Sequence, residues 1–128
     1  MKRAFILIIN LAVFSLACSH KSKPEQSKII IKKVYKQGLL YKEFPTLNRK
    51  KHGIEITYYG GGSGRILSKI SFRNGVKHGV CIYFNLYQNV SEKVNYVNGK
   101  KHGAETFYNM SGNLIKTVYY KHGVVIKK

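Results

Sequence analysis

NGKKHGAETFYN, Asn98 to Asn109, decides how the rest of the chain is read, because NGVKHGVCIYFN precedes it as Asn74 to Asn85. The two copies start 24 residues apart. A third copy, NRKKHGIEITYY (Asn48 to Tyr59), lies further upstream with Arg49 in place of the glycine. The segments leading into the turns align as well: KISFRNG (Lys69 to Gly75), KVNYVNG (Lys93 to Gly99) and TVYYKHG (Thr117 to Gly123). Gly53 to Gly79 is 26 residues, and the two extra residues fall in the glycine-rich YGGGSG (Tyr59 to Gly64), where added loop length costs little. The chain is built on a repeat of about 24 residues.

Each repeat reads as a β-hairpin. Ile54, Ile56 and Tyr58 alternate with Glu55 and Thr57, and Val80, Ile82 and Phe84 repeat the alternation around Cys81 and Tyr83. A period of two in β-branched and aromatic residues specifies strand. Asn74-Gly75 and Asn98-Gly99 supply the positive backbone angles of a tight turn, whereas Arg49 at the matching site predicts a first turn of different shape. Gly53, Gly79 and Gly103 are expected to relieve crowding where the chain runs into the next strand. KHG at Lys121-His122-Gly123 is out of phase with the other three copies, since His122 takes the turn position of Asn74 and Asn98.

NGVKHG and NGKKHG, followed by the aromatic pairs Tyr83-Phe84 and Phe107-Tyr108, resemble the MORN-repeat variant of bacterial envelope and toxin–antitoxin-associated proteins. The resemblance runs from Asn48 to Gly123 and rests on Asn74, Gly75, Lys77, His78, Gly79, Asn98, Gly99, Lys101, His102 and Gly103. It implies an all-β fold: an elongated, single-layer antiparallel sheet of about three hairpin repeats. One face is expected to carry Ile54, Ile56, Tyr58, Val80, Ile82 and Phe84, the other Glu55, Glu105, Lys69 and Lys93. The apolar face then needs cover from aromatic bulk, from the segment before Asn48, or from a partner. Ile29 to Tyr35 is expected to add a strand or to cap the open edge.

The amino terminus supplies an address. MKRAFILIINLAVFSLAC has Lys2 and Arg3 ahead of an apolar run from Ala4 to Ala17. That is the pattern of an export signal, too short at roughly 21 Å of helix to span a bilayer core of roughly 30 Å. Ser15-Leu16-Ala17-Cys18 resembles a bacterial lipobox, with Ser15 where leucine is usual. The resemblance implies cleavage before Cys18 and attachment of diacylglycerol to its sulfur. The organisation read from the sequence is therefore a lipoprotein signal peptide over 1–17, the lipidated Cys18 and a polar tether over 18–28, a strand or cap region over 29–47, and the repeat sheet over 48–128. Ten tether residues reach at most about 35 Å, so the domain stays close to its membrane.

Charge and chemistry narrow the function. The chain carries 23 Lys and Arg against five Glu, with no Asp, for a formal charge of +18. Without Lys2 and Arg3 the balance is 21 against five, or +16. Outside the cytoplasm such a surface suits anionic headgroups or an acidic protein, and no nucleic acid is expected. Arg49, Lys50, Lys51, Lys77, Lys100 and Lys101 recur beside the same turn and are expected to align as a basic ridge. His52, His78 and His102 sit at equivalent places two strands apart, about 9.6 Å. Ligands of one Zn²⁺ must each come within about 2.1 Å, so no metal or other cofactor is expected. Ser63 in GGGSG leads into a strand, not the helix that a phosphate loop or a nucleophile elbow requires. Cys81 stands where Glu55 and Glu105 stand in the other repeats; it is expected to be a structural thiol, partly exposed.

The sequence thus predicts a non-catalytic binding or scaffolding module in the cell envelope. It would be held on the outer membrane where the cell has one, and otherwise on the outer face of the cytoplasmic membrane. Its expected partners are the membrane, through the acylated Cys18, and an envelope protein or anionic headgroups. The alternative implied by the family resemblance is an antitoxin or immunity-type protein that caps a toxin.

Overall fold

The computed structural model describes residues 27–60 and 63–127. The signal-like segment, Cys18 and nearly all of the tether lie outside the described residues. The strands in chain order are β1 (Ile30–Lys36), β2 (Leu39–Leu47), β3 (Lys50–Lys51), β4 (Gly53–Tyr58), β5 (Ile66–Arg73) and β6 (Val76–Lys77). They continue as β7 (Gly79–Phe84), β8 (Val90–Val97), β9 (Lys100–Tyr108), β10 (Leu114–Lys121) and β11 (Val124–Ile126). All eleven belong to one open antiparallel sheet in the order β1-β2-β4-β5-β7-β8-β9-β10-β11, with β3 on β2 and β6 on β5. Apart from the two-residue β3 and β6, neighbours in the sheet follow one another in the chain, so the repeat of the sequence becomes a meander in space.

One end of the meander is made of two-residue turns. Asn74-Gly75 (φ 51° and 87°), Asn98-Gly99 (49° and 81°) and His122-Gly123 (51° and 89°) all hold two successive left-handed residues, the condition for a tight hairpin that follows the strand twist. Asn48-Arg49 does the same, with φ of 49° and 63°, so the first turn is not of a different shape. Leu47 pairs with Lys50 directly across it, which leaves only two residues to reverse the chain and forces Arg49 into the left-handed region. The fourth KHG is a turn of this series, and β11 follows it. The other end is closed by the Gln37-Gly38 turn, the loop from Tyr59 to Arg65, and two matching loops, Asn85–Asn89 and Asn109–Asn113.

KHG itself is a bulge. From Phe72↔Lys77 to Lys69↔Ile82 one strand moves three residues while its partner moves five. The same excess of two separates Thr46↔Lys51 from Glu43↔Ile56, and Tyr96↔Lys101 from Val94↔Glu105. Gly53 (φ 110°) shows why glycine closes the motif: a Cβ there would lie 2.7 Å from Cγ of Pro45.

The register corrects the expected faces. Residues directly opposite in an antiparallel pair share a face. Ile56 pairs with Lys69 and Ile82 with Lys93, whereas Glu55 pairs with Ile70, Cys81 with Val94, and Val94 with Glu105. Lys69 and Lys93 therefore accompany the isoleucines, and the glutamates lie on the packed face. The apolar Ile54 and Val80 are exposed, while Ile70, Cys81 and Val94 form the core beneath Phe72, Tyr83 and Tyr96. Alternation locates two faces but does not say which one the aromatic rings fold over. Leucine-free as it is, this core is covered by rings rather than by a second layer.

Candidate functional site

The KHG bulge brings together residues that an extended strand holds apart. Four residues of strand span about 13 Å. Across the bulge, however, Lys51 binds the Glu55 carboxylate and Lys101 binds that of Glu105. Lys42 on β2 donates a second bond to Glu55 at 3.1 Å. Burial alone would raise the carboxyl of Glu55, but the hydrogen bonds and charges of Lys51 and Lys42 outweigh it and hold the group below the usual range. Glu105 is held down in the same way, against its burial, by Lys101, Tyr120 and Glu92. Glu92 moves the opposite way, raised first by burial and then by its hydrogen bond and like charge with Glu105.

The lysine of each KHG bulge lies over a ring. The amine of Lys51 is 4.8 Å from the centroids of both Phe44 and Phe72, that of Lys77 is 5.1 Å from Tyr96, and that of Lys101 is 5.0 Å from Tyr120. Lys51, Lys77 and Lys101 thus lean onto the packed face and knit it together. In the middle repeat Cys81 takes the place of the glutamate and is completely buried, not partly exposed, because a thiol fits beneath the rings where a carboxylate would need the lysine. Burial pushes its thiol up.

The histidines tie each repeat to the next turn. His52 Nδ1 lies 3.3 Å from Asn74 Oδ1, and the Asn98 N–H points at His78 Nδ1 at 3.5 Å. His102 meets His122 edge to face, with centroids 5.0 Å apart. Alongside them Gly75, Gly99 and Gly123 donate their N–H groups to the carbonyls of Lys51, Lys77 and Lys101 at 2.7 to 2.8 Å. Among the described residues no three His, Cys or Glu converge as a metal site would require. Asn74, Gly75, Lys77 and His78, with Asn98, Gly99, Lys101 and His102, are accordingly brought together as an inter-repeat spine, while Gly79 and Gly103 end the bulges.

The exposed basic surface lies elsewhere. Arg49, Lys50 and Lys100 are exposed on the turn margin, joined by Arg73 and Lys121 beside their own turns. Arg73 and Lys121 escaped the sequence reading although they precede Asn74-Gly75 and His122-Gly123 directly. Ile30, where β1 begins, pairs with Thr46 near the Asn48-Arg49 turn, so the chain joins the sheet at this same margin. At the opposite end, a cleft of about 230 Å³ is lined by Tyr59, Ile66, Leu67, Phe84, Leu86 and Met110 among others. The loops there are stitched too: Asn85 and Asn89 both donate to the Met110 carbonyl, at 3.1 and 2.8 Å. Asn85 and Asn109 recur 24 residues apart, as do Asn89 and Asn113, a signal in the sequence that marks this second spine. No protein-family model, curated protein or solved structure matches the chain.

Proposed function

We propose that this chain is a lipid-anchored protein of the cell envelope whose MORN-like repeat sheet is a non-catalytic binding and scaffolding module. Cleavage before Cys18 and acylation of its sulfur hold the sheet at the membrane. Its cationic turn margin rests on anionic headgroups, and the remainder of the sheet is presented to an envelope protein. One observation carries this reading: Arg49, Lys50, Arg73, Lys100 and Lys121 share the margin at which β1 begins. A tether of about 35 Å at most leaves that margin close to the surface it would touch. Each basic residue near an anionic surface contributes up to about 1 kcal/mol, and salt weakens the attraction.

The test has two arms. In cells, the native chain is expected in the membrane fraction in processed form, and Cys18→Ala is expected to be released or left unprocessed. A Cys18→Ala protein that is still processed and fully membrane-bound overturns the anchor. In vitro, the chain from Ser19 on, which carries no acyl group, should float with vesicles containing phosphatidylglycerol and lose that binding on Lys50→Glu with Lys100→Glu. Flotation equal on neutral vesicles, or unchanged by the double substitution, overturns the role of the margin.

A further inference from the structure

β1 is an edge strand: it pairs with β2 on one side and with nothing on the other among the described residues. Its seven residues give an open row of backbone donors and acceptors about 23 Å long. The row carries uncovered apolar side chains: Ile30, Ile31 and Tyr35 are each more than half exposed, as is Ile29 just before it. Lys32 and Lys33 stand between them, Lys36 follows Tyr35, and Lys28 precedes the strand. Glu43 lies across from Lys33, but its carboxylate already accepts the Tyr58 hydroxyl at 2.5 Å. None of the four lysines has an ion pair among the described residues; Lys36 rests over the Tyr41 ring at 3.8 Å.

We propose that β1 is the receptor edge for an extended acidic segment of a partner protein, which adds to the sheet as a further strand. Main-chain bonds to β1 would supply the affinity and carboxylates facing Lys32 and Lys33 the selectivity. The charges decide against a second copy of this chain. Two β1 edges paired antiparallel would set Lys32 and Lys33 against their own kind, and β11 of another copy offers three residues followed by Lys127. The overall charge of +18 opposes self-pairing further. This inference rests on the sheet being a protein-binding module and is independent of the lipid anchor.

The probe is a nine-residue peptide with two adjacent Glu at its centre and Val or Thr elsewhere, so that one carboxylate lies on each face beside Lys32 and Lys33; it is labelled at one end and titrated against the full chain purified in detergent. Binding is expected for this peptide and not for its Lys-for-Glu counterpart. Lys32→Glu with Lys33→Glu should weaken it by about tenfold or more and favour the Lys peptide instead. N-methylation of one alternate set of peptide amides should abolish binding, and of the other set should leave it, since only one set faces the sheet. Equal effects of the two methylated sets, or no binding at all, overturn the proposal. So does concentration-dependent pairing of the chain through β1 in place of peptide binding, read by sedimentation. The exposed lysine variants are checked for native circular dichroism. Vesicle flotation of the chain from Ser19 on separates the readings, because failure to float on anionic vesicles alone counts against the membrane margin and failure to bind the peptide alone counts against β1.

Discussion

Lys101 closes on the carboxylate of Glu105 across the bulge made by His102 and Gly103, and the two partners are unequally exposed. Glu105 is 1% exposed, whereas about a third of the Lys101 side chain meets solvent. Removing the lysine strands a buried charge, while removing the carboxylate leaves an amine free to swing into water. Lys101→Met is therefore expected to destabilise the fold by about 2–3 kcal/mol and Glu105→Gln by about 1–2 kcal/mol. Urea unfolding of the two variants checks the order. Equal losses would mean that the pair contributes as an exposed one.

Acid should loosen the sheet through the same carboxylates. Glu55 and Glu105 have folded-state values below the ordinary 4.5, so their stabilisation is fully present above about pH 4.5 and is lost as pH falls through the lower folded values. Glu92 is raised, so its ionised form is disfavoured in the folded state at neutral pH. Glu92→Gln is expected to raise the urea midpoint at pH 7 and to change it less at pH 4. Glu55→Gln is expected to flatten the decline between pH 5 and 3. Midpoints measured from pH 7 to 3 read both signs.

Arg49 holds a left-handed backbone that arginine disfavours by about 1 kcal/mol. Arg49→Gly should stabilise the hairpin by about 0.5–1 kcal/mol, offset in part by the greater freedom of glycine in the unfolded chain. Gly99→Ala should act the other way. Its Cβ would add a contact of 3.1 Å with Val76 Cγ1 to the strain of φ 81°. Thermal unfolding of the two variants compares the signs directly.

The meander was legible because period-two alternation and turn chemistry are local properties. Asn74-Gly75 and Asn98-Gly99 mark their turns within a few residues, and the spacing of 24 extends the pattern to His122-Gly123. What stayed hidden was relational. Alternation separates Glu55 from Ile54, yet the side that packs depends on a two-residue shift at KHG and on rings contributed by other strands. The ridge split for the same reason: Lys50 and Lys51 are adjacent in sequence, and the pleat sends one to solvent and the other over Phe44 and Phe72. Gln37-Gly38 was passed over because its turn falls outside the 24-residue spacing.

Cys81 tests whether the packed face is as closed as the register implies. It lies opposite Val94 at the centre of the sheet, with no exposed surface, and burial raises its thiol. A thiol must be deprotonated and accessible to react, so alkylation of Cys81 should proceed only through unfolding. With iodoacetamide at pH 8 and peptide mapping to separate it from Cys18, modification in the native protein is expected to be negligible over a period that labels the urea-unfolded chain fully. Cys81→Ala should leave a small cavity beneath Phe72, Tyr83 and Tyr96 and cost about 1–2 kcal/mol. Rapid native labelling would mean that the rings open without unfolding. The face holding Glu55 and Glu105 would then be a surface available to partners rather than the core.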